Sequence, residues 1–259
     1  MYNFHWMYKC ATRDVAQDFR EIKKLSDTLS DHGYDSINLS MHDFQEDNWI
    51  NVAHIIDPSK NIRYQLTIKA FATTAAYCGM MLHSFNRIAP GKIVVGISNG
   101  MPTGEPPFSK RTSAEERRLL SGEFAKKLKN FKLKGRDFNT EIIFHGKSEQ
   151  TIKNTEEVGD GIMMLLRDLR EQMDVTQRLM GKRIMARFSI YITDGKRSLP
   201  QSQHPLEKNN IIYGTEEEII KQLDELKSSG VTDFLISNLD IDGDVARIHN
   251  FVKKLTIGN

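Results

Sequence analysis

The stretch EIIFHGKSEQTIKNTEEVGDGIMML, Glu141–Leu165, decides the fold. It opens on an apolar run of strand length, Glu141–Phe144, passes through His145-Gly-Lys-Ser148, and continues with helical character over Ser148–Glu157. After Gly159-Asp160 a second apolar run, Gly161–Leu165, has strand length again. This is one strand–helix–strand unit, and the rest of the chain repeats it. Downstream lie a helix over Leu169–Met180, a strand over Ile184–Ile192 in which Phe188 and Ile190 alternate, and a polar connection, Thr193–Asn210. A helix over Thr215–Ser229 follows, where Thr215 and Glu218 form a capping box and Gly230 closes the last turn. Phe234–Ser237 is the last strand and Asp244–Leu255 the last helix.

Upstream the same alternation holds. Asn3–Tyr8 is a strand, and Val15–Asp31 a helix with Phe19, Ile22, Leu25 and Leu29 on one face and Gly33 as its stop. Ser36–Leu39, Arg63–Ile68 and Lys92–Ile97 are strands; Asp47–Ile56, Thr73–Phe85 and Ser113–Phe131 are helices. Eight strands, each followed by a helix, in a chain of 259 residues predict a single α/β domain over 1–259, a (β/α)8 TIM barrel. A doubly wound open sheet normally uses fewer strands and often opens on a glycine-rich turn, whereas the first strand here runs into Tyr8-Lys-Cys-Ala-Thr12.

Composition excludes several classes. With 39% hydrophobic residues and a net charge of +2 the chain is not disordered, and no apolar stretch approaches the roughly 20 residues that span a bilayer. Met1-Tyr-Asn-Phe-His-Trp6 lacks the basic flank and apolar core of a secretory leader, and two cysteines, Cys10 and Cys78, suit a reducing compartment. The expected location is the cytoplasm. Lys110–Arg136 holds ten basic residues against three acids, which reads as a solvated helix rather than a nucleic-acid surface. The eight histidines are scattered, and Asp240-Ile-Asp-Gly-Asp244 lacks a full calcium-loop pattern, so no metal is expected.

In such a barrel the chemistry sits at the C-terminal ends of the strands. His145-Gly146-Lys147-Ser148 is the most informative of these ends: free helix N–H groups, a glycine, a hydroxyl and an ammonium suit a phosphate. The other reading is a turn in which Ser148 caps the helix. His42 and Asp43 form a candidate acid/base pair, with helix capping by Asp43 or Asp47 as the alternative. Cys10 reads as a small core thiol. Lys69, at the end of an apolar strand, reads either as a Schiff-base lysine of an aldolase-type lyase or as a chain reaching solvent.

Taken together the segments resemble the bacterial luciferase-like flavin monooxygenases, particularly the alkanesulfonate monooxygenase branch. The likeness runs through Gly33-Tyr-Asp-Ser-Ile-Asn-Leu39 with Glu46-Asp-Asn-Trp49, through Asp57-Pro-Ser-Lys-Asn-Ile-Arg-Tyr64, and through Leu82-His-Ser-Phe-Asn-Arg87 with Gly91-Lys92. It continues in Gly96-Ile-Ser-Asn-Gly100 and is strongest in Gly214-Thr-Glu-Glu-Glu-Ile219 with Gly230-Val-Thr-Asp-Phe-Leu-Ile-Ser237. The resemblance implies a barrel that uses reduced FMN, or less favourably a deazaflavin, and dioxygen on a small organic substrate, with reduced flavin from a separate NAD(P)H-dependent reductase. It implies a homodimer paired through helices beside the early strands, for which the small residues of Ala72–Gly79 are suited. His145, Gly146, Lys147 and Ser148 carry over as the phosphate site; Trp6, His42, Phe71 and Ser98 are expected around the flavin ring, and Ser189 and Tyr191 on the substrate side. His42, Ser189 and Tyr191 are the expected catalytic residues. The sequence departs from that branch at Gln45, where it has a cysteine, at Ser189, where it has a histidine, and in the shortness of Thr193–Asn210. These departures favour the alternative of a flavin-binding barrel without oxygenase activity.

Overall fold

The computed structural model describes residues 1–8, 15–40, 47–100, 113–133, 139–195, 210–237 and 245–258. Strands β1 (Asn3–Tyr8), β2 (Ser36–Leu39), β3 (Arg63–Lys69), β4 (Ile93–Ser98), β5 (Glu141–His145), β6 (Gly161–Leu165), β7 (Arg183–Ile192) and β9 (Asp233–Ile236) form a closed ring of parallel neighbours. The ring closes because β9 pairs with both β1 and β7, and β6 with β7. Around it lie α1 (Val15–Asp31), α2 (Asn48–Ile55), α3 (Ala75–Ile88), α4 (Ala114–Lys129), α5 (Glu149–Glu157), α6 (Leu166–Glu171), α7 (Asp174–Arg178), α8 (Glu216–Ser228) and α9 (Val245–Thr256). The fold is a (β/α)8 barrel.

Two details differ from the sequence reading. A ninth strand, β8 (Ile211–Gly214), pairs with Ser189–Ile192 of β7, beyond the point where β7 leaves β9. The single helix expected over 169–180 is instead two short ones, because the chain leaves helical geometry at Gln172, which has φ −127° and ψ 58°. Thr215 caps α8 with the expected capping box; of the two capping candidates before α2 it is Asp47 that caps, and Ser113 caps α4 with a second complete capping box. Among the described residues no helix is long and apolar enough to cross a membrane.

Strand parity sorts the side chains into two cores. Met7, Val94, Ile143, Met163, Met185 and Leu235 form a small buried cluster inside the ring. The alternate residues, such as Phe4, Trp6, Ile37, Leu66, Val95, Phe144, Phe188 and Phe234, pack outward against helix residues such as Leu82, Phe124 and Phe251.

The N-terminal end of the ring is closed by charge. The Asp233 carboxylate accepts from His5 Nε2 at 2.8 Å and from Arg183 Nε at 3.2 Å. Arg183 also pairs with Glu141, which accepts from Arg63 at 2.6 Å, and Arg63 in turn pairs with Asp35. His5 Nδ1 lies 2.7 Å from the Ser36 hydroxyl. Burial alone would raise Asp233, but the hydrogen bonds from His5 and Arg183 outweigh it and hold the carboxyl well below its ordinary range.

In the outer core His249 lies between Trp6, 4.8 Å away between ring centres, and the Tyr34 hydroxyl, 3.0 Å from its Nδ1. Burial, helped by His32, pushes His249 down to about 4. The unfolded chain therefore takes up a proton below about pH 6.5 that the folded chain refuses until near pH 4. Stability contributed by this site is full above pH 6.5 and is lost as the pH falls towards 4, by roughly 3 kcal/mol at 1.36 kcal/mol per pKa unit. Urea unfolding at pH 7 and pH 4.5 should show this loss, and His249→Phe should flatten it; an unchanged slope in that variant would remove His249 as the cause.

Candidate functional site

At the C-terminal mouth, β5 ends on His145, whose ring lies over Gly96 of the neighbouring strand. A Cβ at Gly96 would stand 2.6 Å from His145 Nε2 and 3.2 Å from Gln65 Nε2, so only glycine leaves room for this pair. The Gln65 amide nitrogen is 3.1 Å from His145 Nε2. Since an amide N–H donates, Nε2 is the acceptor and the ring proton sits on Nδ1. Burial first, and then the Arg187 guanidinium, push His145 down to about 3, so the ring is neutral at physiological pH.

After His145 the chain turns at Gly146, whose φ of +124° favours glycine. The nearest atom to a Cβ built there is Thr151 Oγ1 at 3.8 Å, so space lies open above the turn. Ser148 caps α5: its Oγ accepts from the Thr151 N–H at 3.2 Å and is 2.7 Å from Thr151 Oγ1. Thr151 Oγ1 in turn accepts from Asn99 Nδ2 at 3.2 Å. Asn99 is fixed from α4, accepting from the Ser121 hydroxyl at 2.8 Å and, through its carbonyl, from Arg117 Nε at 3.0 Å. The β4 and β5 ends are thus tied together by α4.

A cavity of about 360 Å³ opens over this turn, bordered by Ser98, Arg118, His145, Lys147, Ser148 and Arg187 among others. Lys147 is half exposed and pairs with Asp168 at 2.9 Å, which raises its pKa. The cavity therefore gathers the positive end of α5, two guanidinium groups and a shared ammonium around one opening. Such an arrangement suits an anion of phosphate size.

The expected site residues divide. Ser98, His145, Gly146, Lys147 and Ser148 border one cavity. Phe71 lies at the rim beside Gly100, where a Cβ would come within 3.3 Å of its ring. Trp6 does not reach the mouth: it shares the outward parity of Phe4 and packs edge-on against Tyr34 at 6.1 Å in the barrel–helix layer. Ser189 is buried and donates to the Ser237 carbonyl at 2.9 Å, tying β7 to the end of β9. Tyr191 sits on the β7 extension opposite Tyr213 of β8. His42, Asp43, Gln45, Cys10 and the segment 240–244 lie outside the described residues. Arg118, Arg187, Asn99 and Asp168 were missed. The parity of β7, with Met185 inside the ring, was the available signal for Arg187.

No family profile and no curated protein matches the chain. Solved structures do. Apo-MsnO8 superposes with a TM-score of 0.79 at 10% identity, over 100% of this chain and 99% of that one. The oxygenating constituent of 3,6-diketocamphane monooxygenase from Pseudomonas putida, in complex with FMN, gives 0.72 at 13% identity over 98% and 96%. The likeness shows a shared (β/α)8 barrel fold. Among these solved barrels the cofactor varies: an F420-dependent secondary alcohol dehydrogenase, bound to an F420–acetone adduct, gives 0.67 at 14% identity over 98% of both chains.

Proposed function

We propose that this luciferase-like barrel binds reduced FMN, with its phosphate at the N-terminus of α5, and acts as a flavin-dependent monooxygenase on a small organic substrate. The observation that carries this reading is the cavity in which Gly146, the α5 N-terminus and Arg118 converge with room above the turn. Arg118 has a guanidinium without a carboxylate partner among the described residues, and a phosphate dianion would supply one. A solved neighbour in complex with FMN supports a flavin in this fold, and two F420-dependent neighbours share it, so the preference for FMN rests on the resemblance. The family resemblance implies that reduced flavin comes from a separate NAD(P)H-dependent reductase.

Bound there, reduced FMN would supply the electrons for dioxygen chemistry. The protein's own part is to hold and shield. Arg118, Ser148 and the α5 N–H groups neutralise the phosphate, Met163 and Leu165 present apolar surface to the same cavity, and His145 keeps a fixed, neutral hydrogen-bonding face. Cys78 is buried with its thiol pushed up to about 12, which fits an unreactive core residue in a reducing cytoplasm. The direct test is anaerobic titration with reduced FMN and with F420, followed by oxygen uptake against a panel of small organic substrates. Tight binding of reduced FMN with substrate-dependent uptake is expected. Binding of neither cofactor would remove the flavin reading, and binding without uptake for any substrate would favour the barrel that only carries flavin.

A homodimer belongs to the same proposal, on a different face than the small residues suggested. Ala75 and Cys78 are buried in the core and Gly79 lies against the Phe131 ring, whereas Tyr77 and Met80 of α3 are 46% and 48% exposed. Light scattering should give twice 29.7 kDa, and Met80→Glu should shift it to the monomer mass; a wild-type monomer at micromolar concentration would end this proposal.

A further inference from the structure

The positive groups of the mouth are not all explained by a phosphate. Arg187 sits on β7 at the parity of Met185, inside the ring, paired in register with Leu165 and Leu235. Among the described residues its buried Nε has no hydrogen-bond partner and no carboxylate pairs with its guanidinium. A buried guanidinium without an acceptor is costly unless something anionic joins it. Burial already pulls its pKa down. Across the ring, on β2 and β3, Asn38 is fully buried with both amide atoms unpartnered, and Thr67 Oγ1 is buried and unpartnered as well. Arg187 thus shares its inward strand parity with side chains of unfilled hydrogen-bonding capacity. Beside it stands His145, locked by Gln65 so that Nδ1 carries the proton.

We propose that Arg187 and the His145 Nδ1–H form a second anion subsite, on the ring side of the cavity that the α5 cradle also borders, that takes the carboxylate of an organic acid. The word substrate for that acid rests on the flavin reading; the binding does not. The guanidinium pairs with both oxygens of a carboxylate, and the neutral imidazole adds a donor without adding a second cation beside Arg187. The acid's chain would run along Met163 and Leu165, which border the same cavity.

The test uses hexanoate and 1-hexanol as probes, with calorimetric and thermal-shift titration of wild type, Arg187→Gln, Arg187→Lys and Arg118→Ala. Hexanoate should bind wild type and 1-hexanol should bind at least ~10-fold more weakly, the lower limit for a charge-assisted pair. Arg187→Gln should lose hexanoate to the same extent, Arg187→Lys should recover part of it, and Arg118→Ala should keep it. Cooperative melting of Arg187→Lys guards against a variant that has merely unfolded. Equal binding of hexanoate and hexanol would overturn the proposal, as would hexanoate binding that survives Arg187→Gln but is lost in Arg118→Ala. Hexanoate binding through Arg187 in a protein that binds no FMN would leave this subsite standing and remove the flavin reading alone.

Discussion

Replacing Asp233 by alanine is expected to cost about 3–5 kcal/mol of folding stability, the range for removing one member of a buried ion pair. The carboxylate is almost fully buried and takes hydrogen bonds from both His5 and Arg183. Its loss leaves Arg183 with Glu141 and a longer approach to Asp35, and strips His5 Nε2 of its carboxylate. The floor of the barrel then holds a guanidinium and an imidazole with fewer acceptors, and the partly exposed Asp35, 3.5 Å from His5 and 3.6 Å from Arg183, replaces only part of the lost pairing. Against a typical total of roughly 5–15 kcal/mol, the variant should be close to unfolding at room temperature. Asp233→Asn keeps an acceptor for His5 and should lose less. Because the folded carboxyl lies below its ordinary value, the wild-type contribution is complete above about pH 4 and disappears only in strong acid. Urea midpoints for the two variants at pH 7 measure the difference; an Asp233→Ala protein within about 1 kcal/mol of wild type would mean that the floor charges are not coupled.

Arg118→Ala is expected to weaken FMN binding by roughly 10–150-fold, the equivalent of about 1.5–3 kcal/mol for one charge-assisted hydrogen bond. Arg118 is the cleaner choice among the cradle residues. Lys147 already shares its charge with Asp168, so Lys147→Ala should have a smaller effect on the phosphate. Ser148→Ala would also remove the α5 cap, at about 0.5–2 kcal/mol of stability, and would mix folding with binding. Isothermal titration of FMN into the three variants separates these contributions. Equal losses for Arg118→Ala and Lys147→Ala would mean that the Asp168 pair opens when the phosphate arrives.

How much of this was legible in the sequence follows from how local each feature is. Strand–helix alternation and the capping residues are short-range, so the ring and the ends of α4 and α8 could be read directly. The β8 strand could not, because four residues between a polar connection and a helix cap carry too little periodicity to compete with a loop. His145–Ser148 is contiguous, so its glycine turn and helix cap are legible in the sequence. Arg118 and Arg187 reach the same cavity from a helix and from another strand, and only closure of the ring brings them there. Trp6 was misplaced because an aromatic at the end of β1 suggests a flavin neighbour, while parity puts His5 and Met7 inward and Trp6 outward. Ser189 has inward parity but spends its hydroxyl on Ser237, a contact that depends on β9 arriving beside β7.

The central claim is that the α5 cradle holds a flavin phosphate. It is tested most directly by titrating the wild-type protein with FMN and with riboflavin, which share the ring and differ in the phosphate. FMN should bind at least ~10-fold more tightly than riboflavin, and Arg118→Ala should bring the two together. Equal affinities in the wild-type protein, or a preference for FMN that survives Arg118→Ala undiminished, would contradict the account.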